Sequence, residues 1–311
     1  VEKPKIGEDG MLVKILYSFI CSTDIKTYKQ GHPMIKPPTI LGHECSGRIV
    51  ETGRNVSEFE VGDYVAVAPF VNCGECEQCI NGYPEGCRTR DFPSNGAITE
   101  FLSIDAGYAR KGVAKVSKEK VKEAALAEPM ACALTSCRHM ELQPGNSALV
   151  VGAGIMGMLN AITLRDVYGQ TVVITDKRKE RLELAEELGF AASSEDTGKY
   201  NSIVLTAPVP ELIDEYLPRV KLFGNMALFG GYSKGTKALF DPNIIHYNGV
   251  KLTGTTGFAS KDFMAAITLI NSGKLDLRPF TKRIYEFSDF EEAFKDAVEG
   301  RSIKVGIKVG E

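Results

Sequence analysis

The sequence lacks any apolar run near the ~18–20 residues that cross a bilayer, and Val1 does not open a secretory leader. These absences argue against a membrane protein and make the cytoplasm the expected location. It also lacks a charge excess: Lys and Arg total 37, Asp and Glu 40, for a net charge of −3. A weakly acidic chain draws neither nucleic acid nor an anionic membrane as partner. No internal repeat or low-complexity tract occurs.

What is present is an ordinary globular composition, 43% apolar and 25% charged over 311 residues. That length suits roughly two domains. The first half reads as short strands, Met11 to Tyr17, Gly47 to Thr52 and Tyr64 to Val67, separated by Gly and Pro as in an irregular β domain. Near residue 120 the pattern changes. Lys122 to Glu141 predicts one helix. Apolar runs at Ser147–Val151, Thr171–Thr175, Ser202–Leu205 and Asn225–Phe229 then alternate with helical stretches such as Lys179 to Leu188. Strand–helix alternation predicts an α/β domain with a doubly wound parallel sheet. Phe263 to Asn271 reads as a further helix, Ala192 to Tyr200 as a loop, and Ile303 to Val309 as a strand-like ending. The expected division is residues 1–125, with 277–311 folding back onto them, and residues 126–276.

Eight cysteines are present, and four fall within fifteen residues as Cys73-x2-Cys76-x2-Cys79-x7-Cys87. In a long chain in a reducing compartment, such crowding indicates metal binding and not disulfides. Zinc accepts four thiolates tetrahedrally; an iron–sulfur cluster is the competing occupant, and free thiols are the bland alternative. A zinc ion with four protein ligands has no open position, so this lobe would serve structure.

Gly152-Ala153-Gly154-Ile155-Met156-Gly157 follows an apolar strand and leads into a helix, with Asp176 closing the next strand. In that setting the glycines fit a dinucleotide turn: Gly152 for the turn itself, Gly154 for close approach of the pyrophosphate, Gly157 for helix packing. Asp176, 24 residues beyond Gly152, sits near the ~20 expected of a ribose-binding carboxylate, which favours NAD over NADP. Lys177 and Arg178 would attract a 2′-phosphate, or simply begin a solvated helix.

Three further features are weak singly. Cys21 precedes Thr23 and Asp24, His43 stands between Gly42 and Glu44, and Glu128 precedes Pro129. A small core thiol, a hydrogen-bonded histidine and a solvated carboxylate would each explain one of them. Together with the cysteine lobe and glycine turn, and in the same order, they make the chain resemble the zinc-containing medium-chain alcohol dehydrogenases, the sorbitol dehydrogenase-like polyol branch above all.

The resemblance implies a GroES-like catalytic domain and a Rossmann-type domain, with two zinc ions per chain. A catalytic zinc would be held by Cys21, His43 and Glu128, with Glu44 as a neighbouring or alternating ligand, and a structural zinc by Cys73, Cys76, Cys79 and Cys87. Thr23 would bond the substrate oxygen and Asp24 would support the metal site. The NAD turn comprises Gly152, Gly154, Ile155, Met156 and Gly157 with Asp176, Lys177 and Arg178. The implied reaction is hydride transfer from an alcohol or polyol to NAD by a homodimer or homotetramer; threonine, a sugar phosphate or a simple alcohol are alternative substrates. Phe92, Phe258 and Tyr28 are candidates to line the pocket, or to pack the core. Two departures stand out: no hairpin precedes the Met11 strand, and Lys26 occupies the place of a histidine that usually ends the proton relay. A zinc-free quinone reductase and a non-catalytic zinc- and NAD-binding regulator are the rival readings.

Overall fold

The computed structural model describes residues 2–31 and 35–310. The chain divides into one unit of Val1–Ala131 with Phe258–Glu311 and a second of Cys132–Gly257. The expected joints at 125/126 and 276/277 therefore move. The Ser260–Asn271 helix, expected in the second unit, packs on the Ala106–Gly112 and Val121–Ala124 helices of the first. The predicted Lys122–Glu141 helix is broken into Val121–Ala124 and Ala127–Arg138. Pro129 explains the break. It has no N–H to donate and its ring crowds the carbonyl four residues back, so it is tolerated in a first turn and not in a helix interior.

The first unit is built on a seven-stranded sheet ordered Ile284–Glu286, Gly306–Lys308, Gly10–Phe19, Glu44–Thr52, Tyr64–Val67 and Val113–Lys115, with Phe101–Asp105 also on Gly10–Phe19. The Gly10–Phe19 strand pairs antiparallel with three neighbours. Its period-two pattern sends Met11, Val13 and Ile15 into one core cluster with Ile49, Val65, Val67, Leu102 and Ile104. Residues from the other end of the chain complete this unit. Tyr17 and Phe19 pair with Lys308 and Gly306, and Ile20 N–H donates to Val305 O at 3.0 Å.

The second unit holds a six-stranded, all-parallel sheet: Lys251–Gly254, Val220–Leu228, Tyr200–Leu205, Ser147–Val151, Thr171–Thr175 and Ala191–Ala192. Counted within the unit this order is 6-5-4-1-2-3, the doubly wound arrangement. Leu149, Ile203, Leu205 and Met226 are fully buried at its centre. The stretch read as a loop begins on a two-residue edge strand, Ala191–Ala192, paired with Val173 and Ile174. Strand order reverses between Ser147–Val151 and Tyr200–Leu205, and ligands of such sheets bind beyond the carboxyl ends at that point. Gly152 and Thr206 stand there.

Candidate functional site

The cysteine lobe is closed by local turns. A short helix, Glu77–Ile80, starts from Cys76, and a tight turn at Pro84–Gly86 delivers Cys87. The sulfur separations are 3.5 Å for Cys76–Cys79 and Cys73–Cys87, and 3.8 Å for Cys73–Cys79 and Cys76–Cys87. These are far beyond a disulfide bond and match the ~3.8 Å edge of a tetrahedron of sulfurs ~2.3 Å from zinc. The Cys73 thiol is lowered to about 5 by the Thr89 hydroxyl and by the N–H groups of Glu75 and Cys76, which donate to it at 3.4 and 3.3 Å. Burial and the neighbouring sulfurs push Cys79 up to about 12. Four crowded thiols cannot all ionise alone, and a divalent cation among them removes the conflict. The residues fit a closed zinc site.

Cys21 caps the Ser22–Gln30 helix. The first helical turn places Asp24, 2% exposed, beneath it. Asp24 Oδ2 accepts from the Cys21 N–H at 2.9 Å, while Oδ1 accepts from the Gly42 N–H at 3.0 Å and lies 3.2 Å from His43 Nδ1. A histidine that bonds a carboxylate through Nδ1 presents Nε2 to a metal. Thr23 lies between these residues, half-buried, its carbonyl accepting from the Thr27 hydroxyl.

Cys21, His43 and Glu44 form a tight group whose ligand atoms lie within 4.8 Å of one another. Glu128, expected as the third ligand, is outside that group. It sits half-buried in the first turn of the Ala127–Arg138 helix. Burial alone would lower the His43 pKa, but Asp24 and Cys21 hold it well above its ordinary value.

Lys304, a residue with no signal in the sequence, completes the surroundings. It is 6% exposed and its Nζ lies 2.6 Å from Glu44 Oε1. Burial would lower its pKa; Glu44, Cys21 and Glu128 more than offset that and raise it.

In the second unit Gly152 adopts φ +102°, a conformation that side-chain-bearing residues rarely tolerate. A Cβ on Gly157 would lie 1.7 Å from the Gly152 carbonyl oxygen, so the Ile155–Ile162 helix can approach the strand end only through glycine. Gly154 faces open space; among the described residues an added Cβ would meet only Arg181 Nη1, at 3.7 Å. This is the room a pyrophosphate needs at a helix N-terminus. Asp176 accepts from Ala153 N–H at 2.7 Å and from Arg178 N–H at 2.9 Å. Lys177 is exposed, and the Arg178 guanidinium pairs with Glu180 at 2.6 Å. Arg181, not singled out from the sequence, is the cation beside Asp176, at 3.6 Å.

Residues 7–118 match the alcohol dehydrogenase GroES-like domain. The L-threonine 3-dehydrogenase of Idiomarina loihiensis is 30% identical, covering 98% of this chain and 94% of its own length. The sorbitol dehydrogenase of Bacillus subtilis is 28% identical over 95% of this chain and 88% of its own. The chain belongs to the zinc-type medium-chain alcohol dehydrogenases. The crystal structure of 2R,3R-butanediol dehydrogenase from Bacillus subtilis shares the fold, with a TM-score of 0.88 at 24% identity over 100% of this chain and 95% of that one. Within this dehydrogenase the matched domain holds Cys21, His43, Glu44 and the whole cysteine lobe, while Glu128 and the glycine turn lie beyond it. Of the aromatics proposed for the dehydrogenase's pocket, Phe258 is fully buried and stacked on Phe70 at 4.3 Å, a core role. Tyr28 and Phe92 are exposed at 71% and 57%.

Proposed function

We propose that this dehydrogenase oxidises a secondary alcohol or polyol to the ketone, with NAD taking the hydride and a proton leaving to solvent. The observation that carries the reading is the carboxylate of Asp24, which holds the Cys21 backbone through one oxygen and His43 Nδ1 through the other, so that Cys21 and His43 meet at one point. Zinc bound there supplies the Lewis acidity that lowers a hydroxyl pKa, and NAD supplies the hydride acceptor. Cys21 Sγ, His43 Nε2 and the Glu128 carboxylate hold that ion: one thiolate and one carboxylate balance its charge, and three ligands leave a place for substrate. Asp24 keeps the imidazole in the ligating tautomer. Thr23 takes the hydrogen bond of the substrate hydroxyl at its Oγ and relays the proton outward, water completing the route past exposed Lys26.

Asp176 supports NAD over NADP, since a carboxylate welcomes ribose hydroxyls and repels a 2′-phosphate. We also infer a second, structural zinc on Cys73, Cys76, Cys79 and Cys87. The cysteines form no disulfide among the described residues, and we infer a reducing cytoplasm as the location. Among the described residues no helix is long and apolar enough to cross a membrane. A homodimer or homotetramer is the expected assembly, measurable by sedimentation.

The test combines metal content with turnover. Two zinc ions per chain, and NADH formation on a panel of polyols, inositols, threonine and simple alcohols, are expected. One zinc per chain with no oxidation of any of them overturns the reading.

A further inference from the structure

Beside Cys21 and His43 stands a buried ion pair for which the proposed reaction has no use. Lys304 Nζ is 2.6 Å from Glu44 Oε1 and donates to Ile20 O at 3.1 Å. The side chains are 4% and 1% exposed. Ile20 precedes Cys21 and Glu44 follows His43, so one ammonium grips both segments that carry the ligands. Glu44 Oε2 is buried and has no hydrogen-bond partner among the described residues, and a Glu44 oxygen belongs to the tight group with Cys21 and His43. The carboxylate is thus divided: Oε1 is satisfied by lysine, Oε2 is not, and one of the two lies within 4.8 Å of the Cys21 and His43 ligand atoms. A buried oxygen without a donor calls for another positive partner.

We propose that Lys304 is a positioning residue that withholds Glu44 from the metal, so that Glu44 stays a neighbour of the ion while Glu128 completes the ligand set. The proposal rests on the reading of Cys21 and His43 as zinc ligands. Its logic is charge pairing. Cys21 and Glu128 balance the divalent ion, and Lys304 balances Glu44. Without the ammonium, Glu44 is a buried charge whose nearest remaining cation is the metal. It then closes on the ion and occupies the place meant for substrate.

The sign of the effect separates this role from simple support. Loss of an ordinary supporting residue loosens a metal by ~10–100-fold. Withdrawal of Lys304 is expected to tighten it. The experiment uses zinc-loaded and cobalt-substituted full-length enzyme carrying Lys304→Met, Lys304→Arg, Glu44→Gln and the Glu44→Gln/Lys304→Met pair. Zinc release to a chelator, the visible cobalt spectrum and turnover are read for each.

In Lys304→Met the more labile zinc should leave roughly tenfold more slowly and turnover should fall at least tenfold, within the range of such perturbations. The cobalt bands should shift. Lys304→Arg should restore the wild-type spectrum, and the double variant should lose both the slow release and the shift. Release from Lys304→Met as fast as from wild type, or faster, overturns the proposal, as does a double variant that behaves like Lys304→Met. Should Lys304→Met not fold, Glu44→Gln decides alone: an unchanged cobalt spectrum supports a withheld Glu44, and an altered one overturns it. A wild-type enzyme whose only zinc is the four-cysteine ion overturns the metal-site reading, and the proposal with it.

Discussion

Asp24 Oδ1 meets His43 Nδ1 at 3.2 Å while Oδ2 holds the backbone N–H of Cys21 at 2.9 Å. One buried carboxylate therefore sets the spacing between Cys21 and His43, the proposed ligands, which come from separate segments. In Asp24→Asn the shape survives, but the charge and one acceptor are lost. We expect zinc affinity at Cys21 and His43 to fall about 10–100-fold, with activity in proportion. Metal analysis after dialysis against a weak chelator checks this. The four-cysteine zinc should remain, and retention of both ions at wild-type strength would count against the role of Asp24.

Gly157 has no room for a methyl group, since its Cβ would meet the Gly152 carbonyl oxygen at 1.7 Å. Gly157→Ala should push the Ile155–Ile162 helix away from the strand end and displace the N–H groups proposed to receive the pyrophosphate. Overpacking of this kind costs about 1–3 kcal/mol. Titration of NADH fluorescence should show weaker binding, with both zinc ions kept. Wild-type NADH affinity would argue against the turn as the phosphate site.

The closed lobe makes a different prediction. Cys76→Ser removes one of four sulfurs that meet at 3.5 to 3.8 Å. One zinc per chain should be lost, cleavage by protease should become rapid between residues 73 and 87, and Tm should drop by about 5–10 °C. Mass spectrometry of the first fragments locates the cut. Bound NADH should be little affected, because the glycine turn belongs to the other unit.

What the sequence reveals follows the distance over which information is local. Cys73 to Cys87 and Gly152 to Gly157 are contiguous motifs, and each is legible without the fold. Cys21 and His43 become persuasive only in company, because their meeting depends on the strands and turns between them. The Cys21-x-x-Asp24 spacing carries a capping signal for the Ser22–Gln30 helix, but cysteine is not among the residues that usually give it. Lys304 was out of reach: it is 260 positions from Glu44, and no local pattern marks a lysine destined for burial. Glu128 differs again: its motif is clear in the sequence, whereas the tight group of Cys21, His43 and Glu44 includes a carboxylate paired with that distant lysine. The helix break before Pro129 was visible in the proline itself.

Acid should find a weak point on the segment that carries Lys304. Asp296, 1% exposed, accepts from Tyr285 at 2.8 Å, Ser302 at 2.9 Å and Arg283 Nε at 3.0 Å. Burial raises its pKa, but these donors outweigh burial and hold it below the ordinary carboxylate value. A depressed carboxylate contributes stability in full above its unfolded value of about 3.9, and loses it as pH falls through the lower folded value. Asp296→Asn should cost about 2 kcal/mol near neutrality, and the gap to wild type should close below about pH 4. Denaturant melts across pH measure it; a gap that stays constant down to pH 3 contradicts the assignment.

The interleaving of the first unit with the C-terminal strands has a consequence for how the enzyme is made. Cys21 and His43 leave the ribosome early, yet the partner of Glu44 is Lys304, and the Gly10–Phe19 strand waits for residues 306–308. Residues 132–257, a contiguous unit, finish synthesis first and can fold during that interval. Until residues 304–308 emerge, the half that carries Cys21 and His43 keeps an unpaired sheet edge. It closes only after they are made, so a chain broken off between residues 257 and 304 would carry a complete second unit attached to an unfinished first one.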